Sequence, residues 1–212
     1  MLNNRKKISL DPLVEAQRER KGIVFVVSAP SGAGKTSVCR GVAALCHDVV
    51  NSVSCTTRPR RDGERDGIDY SFVSDQEFDR KVKAREFAEW AVVHGYRYGT
   101  PLKPLEVAIA QGKDVTLAID VQGARQVRER FRGSVSVFVV TPSIEELRGR
   151  LIARGGLSRE ELEARLLAAV EELQSSPEYD YIVVNRQLDA AIDQLKSIII
   201  AERCKVDRIV DR

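Results

Sequence analysis

The chain has 212 residues, 43% hydrophobic and 31% charged, which suits a soluble globular domain with small insertions and enough apolar material for a core. Its 34 basic and 31 acidic residues leave a formal net charge of +3, so overall charge gives no reason to expect a nucleic-acid partner. No apolar run approaches the roughly 20 residues of a membrane span, and the four cysteines, with no CxxC pair, suit reduced thiols in a cytoplasmic protein.

Residues 1–21 form a mixed-charge N-terminal extension without the apolar centre of a secretory signal. Asp11, Glu15 and Glu19 argue against a mitochondrial presequence. The expectation is a flexible segment that turns helical from Pro12. Ile23 to Ser28 is predicted as a strand, Lys35 to Cys46 as a helix and Val49 to Val53 as a second strand. Residues 54–100 break this rhythm. They are rich in Arg, Gly, Asp and Tyr, with short strands near Tyr70 to Val73 and Phe87 to Val93. Val115 to Asp120 is the next strand, Gln122 to Arg130 a helix and Val135 to Val140 a strand. A further helix opens at Ser143, where Ser143 and Glu146 have capping-box spacing. Residues 150–166, with Gly155-Gly156, join two helical patterns and suggest a mobile flap, the second helix running from Ser158 to Leu173. Tyr181 to Val184 and Leu188 to Lys205 close the chain as strand and helix.

Alternating strands and helices imply a mostly parallel sheet covered on both faces. The predicted class is α/β, a three-layer P-loop core made of residues 22–53 and 101–212. The core carries a small helical lid at about 150–166 and a mixed α+β insertion at 54–100.

Ser28-Ala29-Pro30-Ser31-Gly32-Ala33-Gly34-Lys35-Thr36-Ser37 follows a β-branched strand and opens a helix, the context a phosphate-binding loop requires. Gly32 and Gly34 let backbone N–H groups converge on phosphates, and the helix N-terminus adds partial positive charge. Lys35 is placed to bridge the β- and γ-phosphates of ATP, and the Thr36 hydroxyl to face Mg²⁺. The general pattern begins with glycine, and here that position is Ala29, which requires a negative φ.

A triphosphate loop does not identify the acceptor. Arg58 and Arg61 lie three residues apart, with hydroxyls just upstream, after the second strand on the side where parallel sheets bind ligands. They suit a forked anion clamp, to which Tyr70 and Tyr98 can add phenolic donors. The bland alternative is a solvated basic loop.

At this point the chain resembles guanylate kinases. The resemblance covers about residues 22–202 and rests on six ordered motifs. They are Ser-Ala-Pro-Ser-Gly-Ala-Gly-Lys, Ser-Val-Ser-Cys-Thr-Thr-Arg-Pro-Arg-Arg-Asp-Gly-Glu, Gly-Ile-Asp-Tyr-Ser-Phe-Val, Phe-Ala-Glu-Trp-Ala, Tyr-Gly-Thr-Pro and Ile-Asp-Val-Gln-Gly-Ala. It implies γ-phosphoryl transfer from MgATP to GMP. Ser54, Arg58, Arg61, Tyr70 and Tyr98 would hold the GMP phosphate, and Glu89 and Thr100 would read guanine. Glu64 and Asp120 would complete the cluster through base, ribose or the waters of Mg²⁺. Arg150, Arg154 and Arg165 would reach the ATP phosphates when the lid closes. The family often carries an acidic residue where this chain has Ala118. Two rival readings are a non-catalytic protein-binding module of the same fold and a P-loop kinase of a sugar phosphate. Monomer or homo-oligomer is left open.

Overall fold

The structure, a computed structural model, describes residues 20–209. The readings of the N-terminal extension therefore lie almost wholly outside the described residues. The centre of the molecule is a five-stranded parallel sheet in the order β2-β7-β1-β8-β9. These strands are β1 (Val24–Ser28), β2 (Val49–Asn51), β7 (Asp114–Ala118), β8 (Val135–Val140) and β9 (Tyr181–Val184). Every residue of β1 is buried, as a central parallel strand demands.

Side chains alternate across β1 and divide the core in two. Phe25 and Val27 pack with Val38 and Val42 of α1 (Lys35–Leu45), Leu147 and Leu151 of α5 (Ile144–Arg154), and Leu195 and Ile199 of α7 (Leu188–Arg203). Val24 and Val26 face the other way, onto Leu105 of α3 (Leu102–Ala110) and Ala124 and Val127 of α4 (Val121–Arg130). Phe25, Val26 and Val27 are 0% exposed, and burying each contributes about 1.5–3 kcal/mol.

A second, four-stranded sheet in the order β4-β3-β6-β5 is drawn from residues 55–101. Its strands are β3 (Cys55–Thr56), β4 (Ser71–Phe72), β5 (Phe87–Val93) and β6 (Tyr96–Pro101), with α2 (Asp75–Lys83) between β4 and β5. The β5–β6 turn places His94 at φ 50° and Gly95 at φ 80°, the two left-handed positions of a tight hairpin. The remaining helices are α6 (Arg159–Leu173) and the short α8 (Val206–Ile209). Among the described residues no helix is long and apolar enough to cross a membrane.

Most predicted boundaries fall within two residues of the observed ones. The strand expected to reach Asp120 ends at Ala118, because Asp120 caps α4 instead and accepts the Gly123 N–H. The capping box expected at Ser143 is only half formed. Ser143 accepts from Glu146 N–H, but the Glu146 carboxylate is drawn to Arg150 one turn on. Helices α2 and α3 were not foreseen. A signal for α2 was present, since Ser74 caps it by accepting from Glu77 N–H.

Candidate active site

The loop between β1 and α1 has the backbone its glycines permit. Gly32 and Gly34 adopt φ 93° and 96°, conformations that side chains rarely take. An added Cβ on Gly34 would also stand 2.3 Å from Asn185 Nδ2. The Ala33 N–H bonds back to the Pro30 carbonyl at 3.0 Å, closing the turn around Ser31. Ala29 keeps a negative φ, and its methyl is buried in the core with Ala33, Leu147 and Leu151. The irregular first position is thus absorbed by packing. Thr36 and Ser37 are exposed at the first turn of α1.

Lys35 reaches across the sheet end and donates to the Ile119 carbonyl at 2.9 Å. Burial lowers its pKa, opposed chiefly by Glu172 and then by Asp120. Glu172 lies on the last turn of α6, on no motif that sequence singled out. Burial pushes its carboxyl up to about 7, with Lys35 opposing and Asp120 adding to the rise. Asn185 was missed too. It follows β9 at the C-terminal end of a parallel strand, a position where ligand-side residues gather. Its Nδ2 donates to the Ala33 carbonyl at 2.8 Å, from beneath the phosphate loop.

The insertion brings the arginine clamp together. Arg58 is 7% exposed and donates to both carboxylate oxygens of Glu64, at 2.7 and 3.0 Å. Its guanidinium lies 5.4 Å from the Tyr70 ring centroid and 5.8 Å from that of Phe72. Tyr70 and Tyr98 meet edge to face at 5.9 Å. Glu64 also accepts the Arg61 N–H at 2.9 Å. Burial alone would raise the Glu64 carboxyl, but these bonds from Arg58 and Arg61 hold it below its usual value. Glu64 therefore shapes the clamp from within. Burial lowers the Arg61 pKa, and the nearby charges of Arg58 and Arg154 lower it further. A lid arginine thus stands close to the clamp. Ser54 and Tyr70 line a cavity of about 260 Å³ with Thr36, Cys39 and Ala118, between α1 and the insertion.

Glu89 and Thr100 face each other across β5 and β6, both buried, with the Thr100 hydroxyl donating to Glu89 Oε1 at 2.5 Å. Burial raises the Glu89 pKa, opposed by the Thr100 hydroxyl, and a lesser rise comes from the nearby Asp120. Its Oδ1 accepts Gly123 N–H at 3.0 Å and its Oδ2 accepts from Gln122 at 3.1 Å. Of the lid arginines, Arg150 is held by Glu146, by the Asn185 carbonyl at 2.7 Å and weakly by the Ala33 carbonyl at 3.5 Å. Arg154 is exposed at the end of α5, and Arg165 lies near enough to His94 to lower its pKa, after burial. The cavity between α1 and the insertion thus joins Thr36, at the end of the phosphate loop, to Ser54 and Tyr70 beside the arginine clamp.

The sequence profile described as Guanylate kinase matches residues 21–202. The chain belongs to the guanylate kinase family. It is 50% identical to a guanylate kinase of Geobacter sulfurreducens, over 91% of this chain and 95% of that one. It is 46% identical to a guanylate kinase of Thermotoga maritima, over 91% of this chain and 93% of that one. The crystal structure of guanylate kinase from Anaplasma phagocytophilum matches with a TM-score of 0.76 at 37% identity, covering 90% of each chain. Ala118, where the resemblance led to the expectation of an acidic residue, lines the cavity between α1 and the insertion.

Proposed function

We propose that this chain transfers the γ-phosphoryl group of MgATP to the phosphate of GMP or dGMP, releasing ADP and the nucleoside diphosphate. The observation that carries the assignment is the buried Glu89–Thr100 pair, whose carboxylate lies close enough to Lys35 of the phosphate loop for the two charges to act on each other. Guanine offers N1–H and a 2-amino group to one carboxylate, and O6 to a hydroxyl, the Thr100 O–H turning from Glu89 Oε1 to the base as the base's own donors take its place. Adenine offers an acceptor at N1 and would leave Glu89 without its partners, a mismatch that discriminates by about 10⁴-fold.

In this reading residues 54–100 form the GMP-binding part, and residues 22–53 and 101–212 the ATP-binding core. Backbone N–H groups of the Ala29 to Ser37 loop, other than Pro30, which has none, and Ala33, whose N–H is turned to the Pro30 carbonyl, hold the triphosphate together with the Lys35 ammonium. Ser54, Arg58, Arg61, Tyr70 and Tyr98 hold the acceptor phosphate. That phosphate is already an anion, so no general base has to create the nucleophile. Catalysis is alignment plus charge neutralisation, with Arg150, Arg154 and Arg165 closing from the lid. Mg²⁺ fits the donor set. The exposed Thr36 hydroxyl and the nearby Asp120 carboxylate suit a hydrated ion carried mainly by phosphates, and no cluster of three ligating side chains exists among the described residues to hold it alone. When bound, the ion would supply charge neutralisation to the triphosphate. The reaction is cytoplasmic in this reading, in keeping with four free cysteines.

ADP release with ATP and GMP, dGMP, AMP or a pentose phosphate tests the assignment. Release is expected with the two guanine nucleotides alone. Lys35→Ala should lower turnover by at least about 10²-fold while calorimetry still detects GMP binding. GMP-independent ADP release, or turnover in Lys35→Ala like that of the unsubstituted protein, would refute it.

A further inference from the structure

In the smaller sheet β5 is an edge strand, paired among the described residues only with β6. The backbone groups of Trp90 and Val92 that point away from β6 therefore need other partners. Side chains of α4 supply partners for both groups of Trp90 and for the Val92 carbonyl. Gln126 Oε1 accepts the Trp90 N–H at 3.2 Å, and Gln126 Nε2 donates to the Trp90 carbonyl at 2.8 Å. Gln122 Nε2 donates to the Val92 carbonyl at 3.4 Å. Beyond the register shift between Phe87 and Glu89, Arg130 donates to the Phe87 carbonyl at 3.1 Å. These three residues recur every four positions and so share one helical face. The face of α4 stands in for a fifth strand.

The same helix touches Glu89. A Cβ added to Gly123 would lie 2.4 Å from Glu89 Oε2, so the carboxylate rests against the α4 backbone. Trp90, the next residue of β5, is bonded to α4 through both its backbone groups. Glu89 is thereby located from two directions, by Thr100 on β6 and by Gln126 through Trp90.

We propose that Gln126 is a positioning residue for purine specificity, its carboxamide bracketing Trp90 and so setting where the Glu89 carboxylate stands against the bound base. This rests on the assignment of Glu89 as the guanine reader. A carboxamide matches one donor and one acceptor at once. Glutamate at this position would present two acceptors to them, and leucine nothing. GMP engages Glu89 through N1–H and the 2-amino group, whereas IMP has N1–H alone. A displaced carboxylate loses the paired geometry first, so GMP suffers more than IMP. General loosening of the fold would cost both alike.

The test is steady-state kinetics of Gln126→Leu and Gln126→Glu, with GMP and IMP as acceptors. Weakening one of the two charged hydrogen bonds between Glu89 and the base corresponds to a rise of roughly tenfold in KM for GMP, with KM for ATP changed by less than about twofold. The ratio of kcat/KM for GMP over IMP should narrow in both variants. The isosteric Gln126→Glu keeps the measurement possible if the leucine variant does not accumulate. Equal losses for GMP and IMP, or a matching rise in KM for ATP, would overturn the proposal. Glu89→Gln separates the two levels. An unchanged GMP-to-IMP ratio in that variant removes the guanine reading itself. A collapsed ratio there, with an unaltered ratio in both Gln126 variants, removes only the role of Gln126.

Discussion

Glu89 is 4% exposed, and burial pushes its carboxyl up to about 7, with the Thr100 hydroxyl opposing and Asp120 adding to the rise. The protonated form cannot accept from both guanine donors. KM for GMP is therefore expected to rise as pH falls through about 7, and to be lowest where the carboxylate is ionised. A KM for GMP that stays flat across neutrality would contradict this. The same residue affects stability with the opposite slope. Between its ordinary value of 4.5 and about 7 the unfolded chain ionises Glu89 while the unliganded fold keeps it protonated. Its destabilising effect is thus absent at low pH, grows through that window and is complete above it. Both consequences follow from burying one carboxylate against Gly123 and Thr100.

At the scale of elements, the lid is built on local rules. Ser158 Oγ accepts the Glu161 N–H at 3.2 Å, and Glu161 Oε2 accepts the Ser158 N–H at 2.8 Å, a complete capping box at the start of α6. Ser158→Ala is expected to cost about 1 kcal/mol. Loss of amide-exchange protection in the first turn of α6, ahead of Arg165, is the measurement that checks it, and unaltered protection would show that the cap carries little. The contrast with Ser143 is instructive. The same spacing gives only half a box there, because Arg150 competes for the Glu146 carboxylate. Spacing locates a helix start, while the use of its acidic residue depends on what else lies within reach.

At the scale of the molecule, Asp114 joins segments far apart in the chain. It is 0% exposed and accepts from Arg20 Nη1, Arg203 Nε and Ile23 N at 2.6, 2.6 and 2.8 Å. The start of the described chain, β7 and the end of α7 are thereby held together at the N-terminal end of the parallel strands. Asp114→Ala leaves two partly buried guanidinium groups short of a partner, with Asp48 still 2.8 Å from Arg203. Breaking such a pair costs about 3–5 kcal/mol, to be read from the urea midpoint. A loss below about 1 kcal/mol would mean that Asp48 and water compensate fully.

By itself the sequence determined what depends on neighbours along the chain. Residues 28–37 carry a strand, two glycines and a helix start in contiguous order, so the phosphate loop follows from local backbone preferences. The parallel core follows from alternating patterns, and the Arg58 clamp and the Glu89–Thr100 pair from ordered motifs that resemble one family. Tertiary structure decided the rest. It brought Glu172 to Lys35, seated Asn185 under Ala33 across 152 residues, and laid the α4 face along β5. It also set Arg150 against Glu146 and the Asn185 carbonyl. The physical reason is range. Torsional preference and capping act over a few residues and leave a pattern in the sequence. A contact between distant segments is set by how whole elements pack, and leaves no spacing along the chain to read.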